Sequence, residues 1–221
     1  DDVETMRRCS QWLQYEGLRY AVEATQRRGA GTIPWQFNEP YPNAWCTAAV
    51  DHRGDAKPAF YGVARAYRAG HPTAQFDTWA WGGRGEARAA ATAPARFVDL
   101  DGSVVAETEE GGIAAPLAAF AHDVFLLDLG PASRYVMTRT HTLEPLLDLP
   151  GAKLSFDGRT LRNEGDVAAL GVVLEDARPY DAPGWVTFSD NVLDLLPGEA
   201  RELEVAGPVA ELRIEGWNAR V

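Results

Sequence analysis

The hydrophobic positions of this chain change their period once, near residue 70. Before it the spacing is helical. Residues 2 to 28 set Met6, Cys9, Leu13 and Tyr20 in one row and Trp12, Tyr15, Leu18 and Val22 in the next. Together they make a wide apolar face that predicts one long helix. Asp1, Asp2 and Glu4 begin it and Arg27 and Arg28 end it, matching the helix dipole, and Gly29 is placed to cap it. Gly31 to Phe37 is apolar and strand-like. A loop with Tyr41 and Trp45 follows, then Gly54 and Asp55, and Pro58 opens a second amphipathic helix with Phe60, Val63, Ala64 and Tyr67 on one side.

Beyond residue 70 the period is two. Ala95–Leu100 and Ser103–Glu107 flank Asp101-Gly102, and Lys153–Phe156 and Arg159–Arg162 flank Asp157-Gly158. Both read as hairpins with the favoured Asp-Gly turn. Further strands are expected at Phe76–Trp81, His122–Leu129, Arg134–Thr140, Ala168–Glu175, Val186–Ser189, Arg201–Val205 and Val209–Trp217. Many short strands separated by Gly/Pro turns predict sandwich architecture. The expected fold is therefore mainly β: two immunoglobulin-like β-sandwiches, at 71–140 and 141–221, after a helix-strand-helix segment at 1–70. Trp79, Trp81, Trp185 and Trp217 lie on or beside strands and read as core.

Composition narrows the function. Hydrophobic residues make up 46% of the chain and charged ones 24%, as in ordinary globular proteins. The net charge of −11 argues against nucleic acid, which needs a basic surface. The charge is uneven: residues 1–70 hold nine basic and eight acidic side chains, and the remainder twelve and twenty-four. That break supports a boundary near Gly70-His71-Pro72 and a solvated acidic surface beyond it. No apolar run of about 18 residues exists to span a bilayer. His52, His71, His122 and His141 lack metal-ligand spacing, no calcium loop occurs, and no metal or cofactor is expected. Cys9 and Cys46 form no C-x-x-C pair and read as small hydrophobes. The first residues have neither an initiating Met nor a signal peptide's apolar stretch, which suggests a piece of a longer chain and leaves its compartment open.

The stretch GTIPWQFNEP, with KPAFYGVARAYR behind it, closely resembles the last barrel unit of the family 2 glycoside hydrolases, the β-mannosidase, β-galactosidase and β-glucuronidase group. The β-mannosidase-like branch fits best. LQYEGLRYAVEATQRRG looks like the helix before the last barrel strand. RYVMTRTHTLEPLLDLP, NEGDVAALGVVLED and FSDNVLDLLPGEARELEV look like the approach to, and body of, the terminal sandwich. The resemblance implies that residues 1–70 end a (β/α)8 barrel. A whole barrel needs about 250 residues, so only its last part would be present.

The resemblance also implies a chemistry. Family 2 enzymes are retaining glycosidases that use two glutamates about 5–5.5 Å apart. In the family pattern these end the fourth and seventh strands, ahead of this sequence, so the chain alone is expected to be inactive. What it would supply is a sugar site. Trp35 matches the ring that lines the pocket for the reacting sugar, and plain barrel core is its other reading. Gln36 and Asn38 carry amides that can both donate and accept, for hydroxyls or for loop backbone. Glu39 reads as a loop-ordering or hydroxyl-binding carboxylate in preference to a catalytic one, and Tyr41 and Trp45 as outer sugar contacts or loop packing. The implied partners are a β-glycoside, β-mannoside first, and the upstream barrel of the same protein. In isolation the first helix would expose Trp12, Leu13 and Leu18, so self-association is expected. A carbohydrate-binding module or a structural sandwich without hydrolytic activity is the alternative.

Overall fold

Helix α1 (Val3–Arg27) and helix α2 (Pro58–Ala66) form where the helical period places them in a computed structural model of the chain. The model describes residues 3–42, 48–179, 184–207 and 211–221. Two compact units emerge. The first holds Asp1–His71, Val173–Val192 and Leu203–Arg213, and the second Pro72–Val172, Leu193–Glu202 and Ile214–Val221.

In the first unit α1 divides its apolar surface. Trp12, Tyr15 and Val22 are buried, and Met6 and Leu13 are exposed. The expectation that Trp12 would be uncovered is thus corrected: its ring lies 5.5 Å from that of Tyr15, on the covered face. The helices approach closely because Gly62 has no side chain. A Cβ there would lie 2.8 Å from the Tyr15 ring. The same face of α1 buries Gln11 and the charged Glu16, Arg19 and Glu23, polar groups that an apolar-row reading misses. Arg19 Nη1 and Arg65 Nη1 donate to the Tyr15 hydroxyl at 3.2 and 2.9 Å. Arg65 continues to Asp190 at 2.8 Å and to the carbonyls of Asn191 and Val192. Glu23 pairs with Arg19 at 3.5 Å and with His71 at 3.2 Å.

Residues 31–37 do not form the expected strand. Ile33, Trp35 and Phe37 are exposed and alternate with half-covered neighbours, which is a strand's period. A ladder needs a second backbone alongside, and among the described residues only the end of the segment has one: the Gln36 and Phe37 carbonyls accept from Ala49 and Val50, next to a single bridge from Asn38 to Val50.

The second unit begins with β1 (Ala74–Gln75), β2 (Glu86–Ala91), β3 (Ala95–Asp99), β4 (Val104–Thr108), β5 (Gly111–Pro116), β6 (Val124–Asp128) and β7 (Arg134–Thr138). They make two antiparallel sheets, ordered β1-β2-β5 and β4-β3-β6-β7. Ala87, Ala89 and Ala91 turn inward from one sheet, and Phe97, Phe125, Leu127, Tyr135 and Met137 are buried on the other. The sheets meet where the Tyr135 hydroxyl accepts the Ala74 N–H at 3.1 Å and its ring meets Phe76 edge-on. The Asp101-Gly102 hairpin forms as expected, with Gly102 at φ 86°, which a side chain would disfavour.

Further along the chain are β8 (Leu154–Phe156), β9 (Thr160–Asn163), β10 (Ala169–Asp176), β11 (Thr187–Phe188), β12 (Leu193–Leu195), β13 (Ala200–Glu202), β14 (Val205–Ala206) and β15 (Leu212–Glu215), of which β11, β14 and residues 173–176 and 212–213 belong to the first unit. Their sheets are β13-β9-β8, β12-β10-β15 and β11-β14. The second Asp-Gly hairpin is β8–β9. Strands β1, β2, β5 and β12 fall outside the expected ones. Strands β2 and β5 are rich in Ala and Gly, which have weak strand preference, and their buried positions alternate only once the sheet is assembled. Phe76–Trp81, expected as a strand, keeps only a bridge from Ala80 to Thr138. There the Thr78 hydroxyl bonds the Ala80 amide and carbonyl at 3.1 Å each, competing with a ladder. Trp81 is core, but Trp185 is 59% exposed and does not fit that reading. Val209 lies outside the described residues.

One guanidinium anchors the second unit. Arg134 donates to Asp128 at 2.9 Å, to Glu199 at 2.6 and 2.7 Å, and to the Asp194 carbonyl at 2.6 Å. Burial pushes the Asp128 and Glu199 carboxyls up, but Arg134, with Arg96 beside Asp128, outweighs it and both lie below their ordinary values. Carboxyls depressed in the folded state add stability above their unfolded pKa, about 4. That stability is lost as pH falls through the folded values. Urea denaturation of the Arg134→Met variant should show a loss of about 3–5 kcal/mol at pH 7. The gap to the parent chain should narrow towards pH 3, and a gap independent of pH would contradict the assignment.

Candidate functional site

Residues 35–39 and 48–57 of the first unit form three adjacent backbone runs. The Glu39 N–H donates to the Val50 carbonyl at 3.1 Å, the Val50 N–H to Phe37 at 2.8 Å and the Ala49 N–H to Gln36 at 3.1 Å. Asp51 and Lys57 return the chain antiparallel, with Asp51 N–H on Asp55 at 2.9 Å and Lys57 N–H on Ala49 at 2.9 Å. The Asp51 carboxylate closes the turn by accepting the Arg53 and Asp55 amides at 2.8 and 3.0 Å. Gln14 of α1 fastens this loop by donating to the Ala48 carbonyl at 3.3 Å.

This scaffold sorts the anticipated site residues by direction. Trp35, 77% exposed, and Tyr41 present their rings to solvent, and Asn38 is exposed beside them. Gln36 is half-covered and gives its carbonyl to the loop. Glu39 turns inward and is only 4% exposed. Its Oε1 lies 3.7 Å from the buried Lys57 ammonium and 3.4 Å from the Ala48 N–H. The arrangement leaves an aromatic and amide surface with its carboxylate occupied inside the loop. Trp45 and Cys46 lie outside the described residues, and Cys9 is half-buried. Among the described residues no group of His, Cys, Asp and Glu could hold a metal ion, and no helix is long and apolar enough to cross a membrane.

A cleft of about 470 Å³ borders the same loop, lined by Arg7, Asp55, Tyr61, Glu175, Phe188 and Arg213 among others, and by neither Trp35 nor Tyr41. Every lining residue belongs to the first unit. Glu175 pairs with Arg7 at 3.2 Å and with Arg213, and Asp55 with Arg53 at 3.0 Å. Burial raises the Asp55 carboxyl; Arg53 opposes this, and Asp51 and Asp176 add to it. Burial likewise raises the Tyr61 phenol. Sequence reading missed this cleft because its walls come from residues 7–61, 173–188 and 213. Only Asp55, ahead of the second helix, stood out.

Residues 147–219 match the Ig_mannosidase family model, an Ig-fold domain. No curated protein matches the chain by sequence. Solved structures do match. An inhibitor-bound structure of the exo-β-D-glucosaminidase CsxA has a TM-score of 0.67 at 17% identity, covering 100% of this chain and 34% of that one. The exo-chitosanase CsxA of Amycolatopsis orientalis gives 0.66 at 18%, with 100% and 34% covered. The β-D-mannosidase of Dictyoglomus thermophilum gives 0.60 at 17%, with 95% and 29% covered. At such identities the likeness is one of fold, and the chain spans about a third of the length of these proteins. The resemblance to the C-terminal region of family 2 glycoside hydrolases is supported: a mannosidase-type Ig domain, in a mainly β chain folded like part of these enzymes.

Glu39→Ala should remove both the carboxylate beside Lys57 and the acceptor for Ala48. The expected cost is about 3–5 kcal/mol of local stability, read as faster hydrogen exchange over residues 48–57. Glu39→Gln, which keeps an acceptor, should recover part of it. Unchanged exchange in both variants would mean that the pair does not order the loop.

Proposed function

We propose that this chain is the C-terminal portion of a retaining glycoside hydrolase that removes terminal β-linked sugars, with β-mannosides the first candidates. In this reading residues 31–37 become the last strand of a (β/α)8 barrel, flanked by α1 and α2, and the β domains are accessory sandwiches. The observation that carries it is the segment at 31–37, whose backbone is paired only at Gln36 and Phe37 among the described residues. Ile33, 94% exposed, with Trp35 and Phe37, shows a strand's alternation, and residues 31–35 carry it without a ladder among the described residues. Unpaired edges and large apolar side chains call for neighbouring strands, and the upstream barrel of the same protein is the partner that would provide them.

The chemistry then divides between the two parts. The acid and the nucleophile, about 5–5.5 Å apart, come from upstream strands, and no cofactor takes part. Trp35 offers its ring to the apolar C–H face of the reacting sugar. The Gln36 and Asn38 amides reach its hydroxyls, Tyr41 and Trp45 extend the contact outward, and Glu39 orders the loop beneath. The exposed Trp35 and Tyr41 rings also suit a carbohydrate-binding module without hydrolysis, the competing reading.

Aryl β-mannoside, β-galactoside, β-glucuronide and β-glucosaminide should all resist the isolated chain, and turnover should appear when the upstream barrel portion is added in trans. Activity of the chain alone that disappears in Glu39→Gln would overturn the assignment. Sugar binding without association to that portion would favour the binding module. In the intact parent, Trp35→Ala should cost about 2–4 kcal/mol in kcat/KM with a smaller effect on Tm. A collapsed Tm with unchanged kinetics would make Trp35 a core residue only.

A further inference from the structure

We propose that the cleft beside residues 51–58 is a second carbohydrate site, a subsite for a neutral saccharide whose lining does not include Trp35. The choice of a saccharide rests on the glycosidase reading; the cleft and its chemistry do not. Its volume of about 470 Å³ falls within the range of small-molecule sites.

The lining selects by compensation. Arg7, Arg53, Lys57 and Arg213 face Asp51, Asp55, Glu175 and Asp176 in equal number. Each basic group has an acidic partner. Arg7 and Arg213 share Glu175, Arg53 bridges Asp51 and Asp55, and Lys57 holds Glu39. Asp176 is held by Arg178 at 2.9 Å. An entering anion or cation would have to break one of these pairs in a half-buried setting, an unfavourable exchange.

A polyol need break none. Carboxylate oxygens have several lone-pair sites and a guanidinium has five N–H groups, so paired residues still accept from and donate to hydroxyls. Val173, Val186 and Phe188 supply apolar wall for C–H faces. Lys57 lines the cleft and also contacts Glu39, so the loop that supports the Trp35 segment is itself a wall of this second site.

The test uses the full chain, ¹⁵N-labelled, titrated with β-1,4-mannobiose and separately with inorganic phosphate, and followed by amide chemical shifts. The disaccharide should shift Arg53, Asp55, Tyr61 and Phe188 saturably in the millimolar range, and phosphate should leave them in place. Asp55→Asn should weaken that binding about tenfold, the loss of one charge-assisted hydrogen bond. Phe188→Ala should weaken it as well, a second check if the first variant folds poorly. Cleft shifts caused by phosphate but not by the sugar would overturn the proposal in favour of an anion site. Sugar shifts confined to Trp35–Tyr41, or absent altogether, would overturn it too. The glycosidase reading is judged separately, by turnover with the upstream portion in trans, so either can fail without the other.

Discussion

Arg65 leaves α2 for an interior where an unpaired guanidinium would cost several kcal/mol, and its surroundings are arranged to satisfy it. The Tyr15 hydroxyl, the Asp190 carboxylate and the carbonyls of Asn191 and Val192 all accept from it. Those acceptors lie on α1 and on residues 190–192, more than a hundred positions away in sequence. The first unit is thus assembled around a charge that only the folded chain can neutralise. Gly62 makes the geometry possible, because any side chain there would hold Tyr15 away from α2. Arg134 does the same for the second unit, gathering Asp128, Glu199 and the Asp194 carbonyl. In both cases the helices or sheets bring apolar area, and the arginine specifies which loops close over it.

The described parts of the loop, residues 36–42 and 48–57, follow the same rule on a smaller scale. Its backbone pairs with itself, and a buried carboxylate and ammonium meet inside it. A loop organised from within can hold side chains outward at fixed positions, which a binding surface requires. Trp35, Asn38 and Tyr41 stand on one part of this scaffold, and Asp55 and Lys57 line the cleft on another. Glu39 carries no visible chemistry of its own here, yet the positions around it depend on its pairing.

Charge also explains where reading by hydrophobic rows goes astray. Glu16, Arg19 and Glu23 follow helical spacing on α1 and look solvated in sequence, yet they lie on its covered face. Met6 and Leu13 look like core and are exposed. Their exposure, with that of Ile33 and Phe37, leaves the first unit with an apolar surface of the kind that other chain segments cover.

Local chemistry determined what the sequence could state by itself. Helical spacing and terminal charges set α1 and α2 to within a residue or two, the Asp-Gly pairs set two hairpins, and the period-two stretches set most of the larger strands. The wording around Trp35 and in the last third pointed to a family whose fold the chain shares. Tertiary structure decided the rest. Strands β2 and β5 exist because their Ala- and Gly-rich backbones found partners along their length, and 31–37 is no strand because only Gln36 and Phe37 found one. Glu39 points inward because Lys57 is there to meet it, Trp185 faces out, and the cleft draws its walls from three distant segments. Periodicity and turn residues act between neighbours in sequence and can be read there. Ladders, buried ion pairs and clefts join residues far apart in the chain, and they take shape only when the chain is folded.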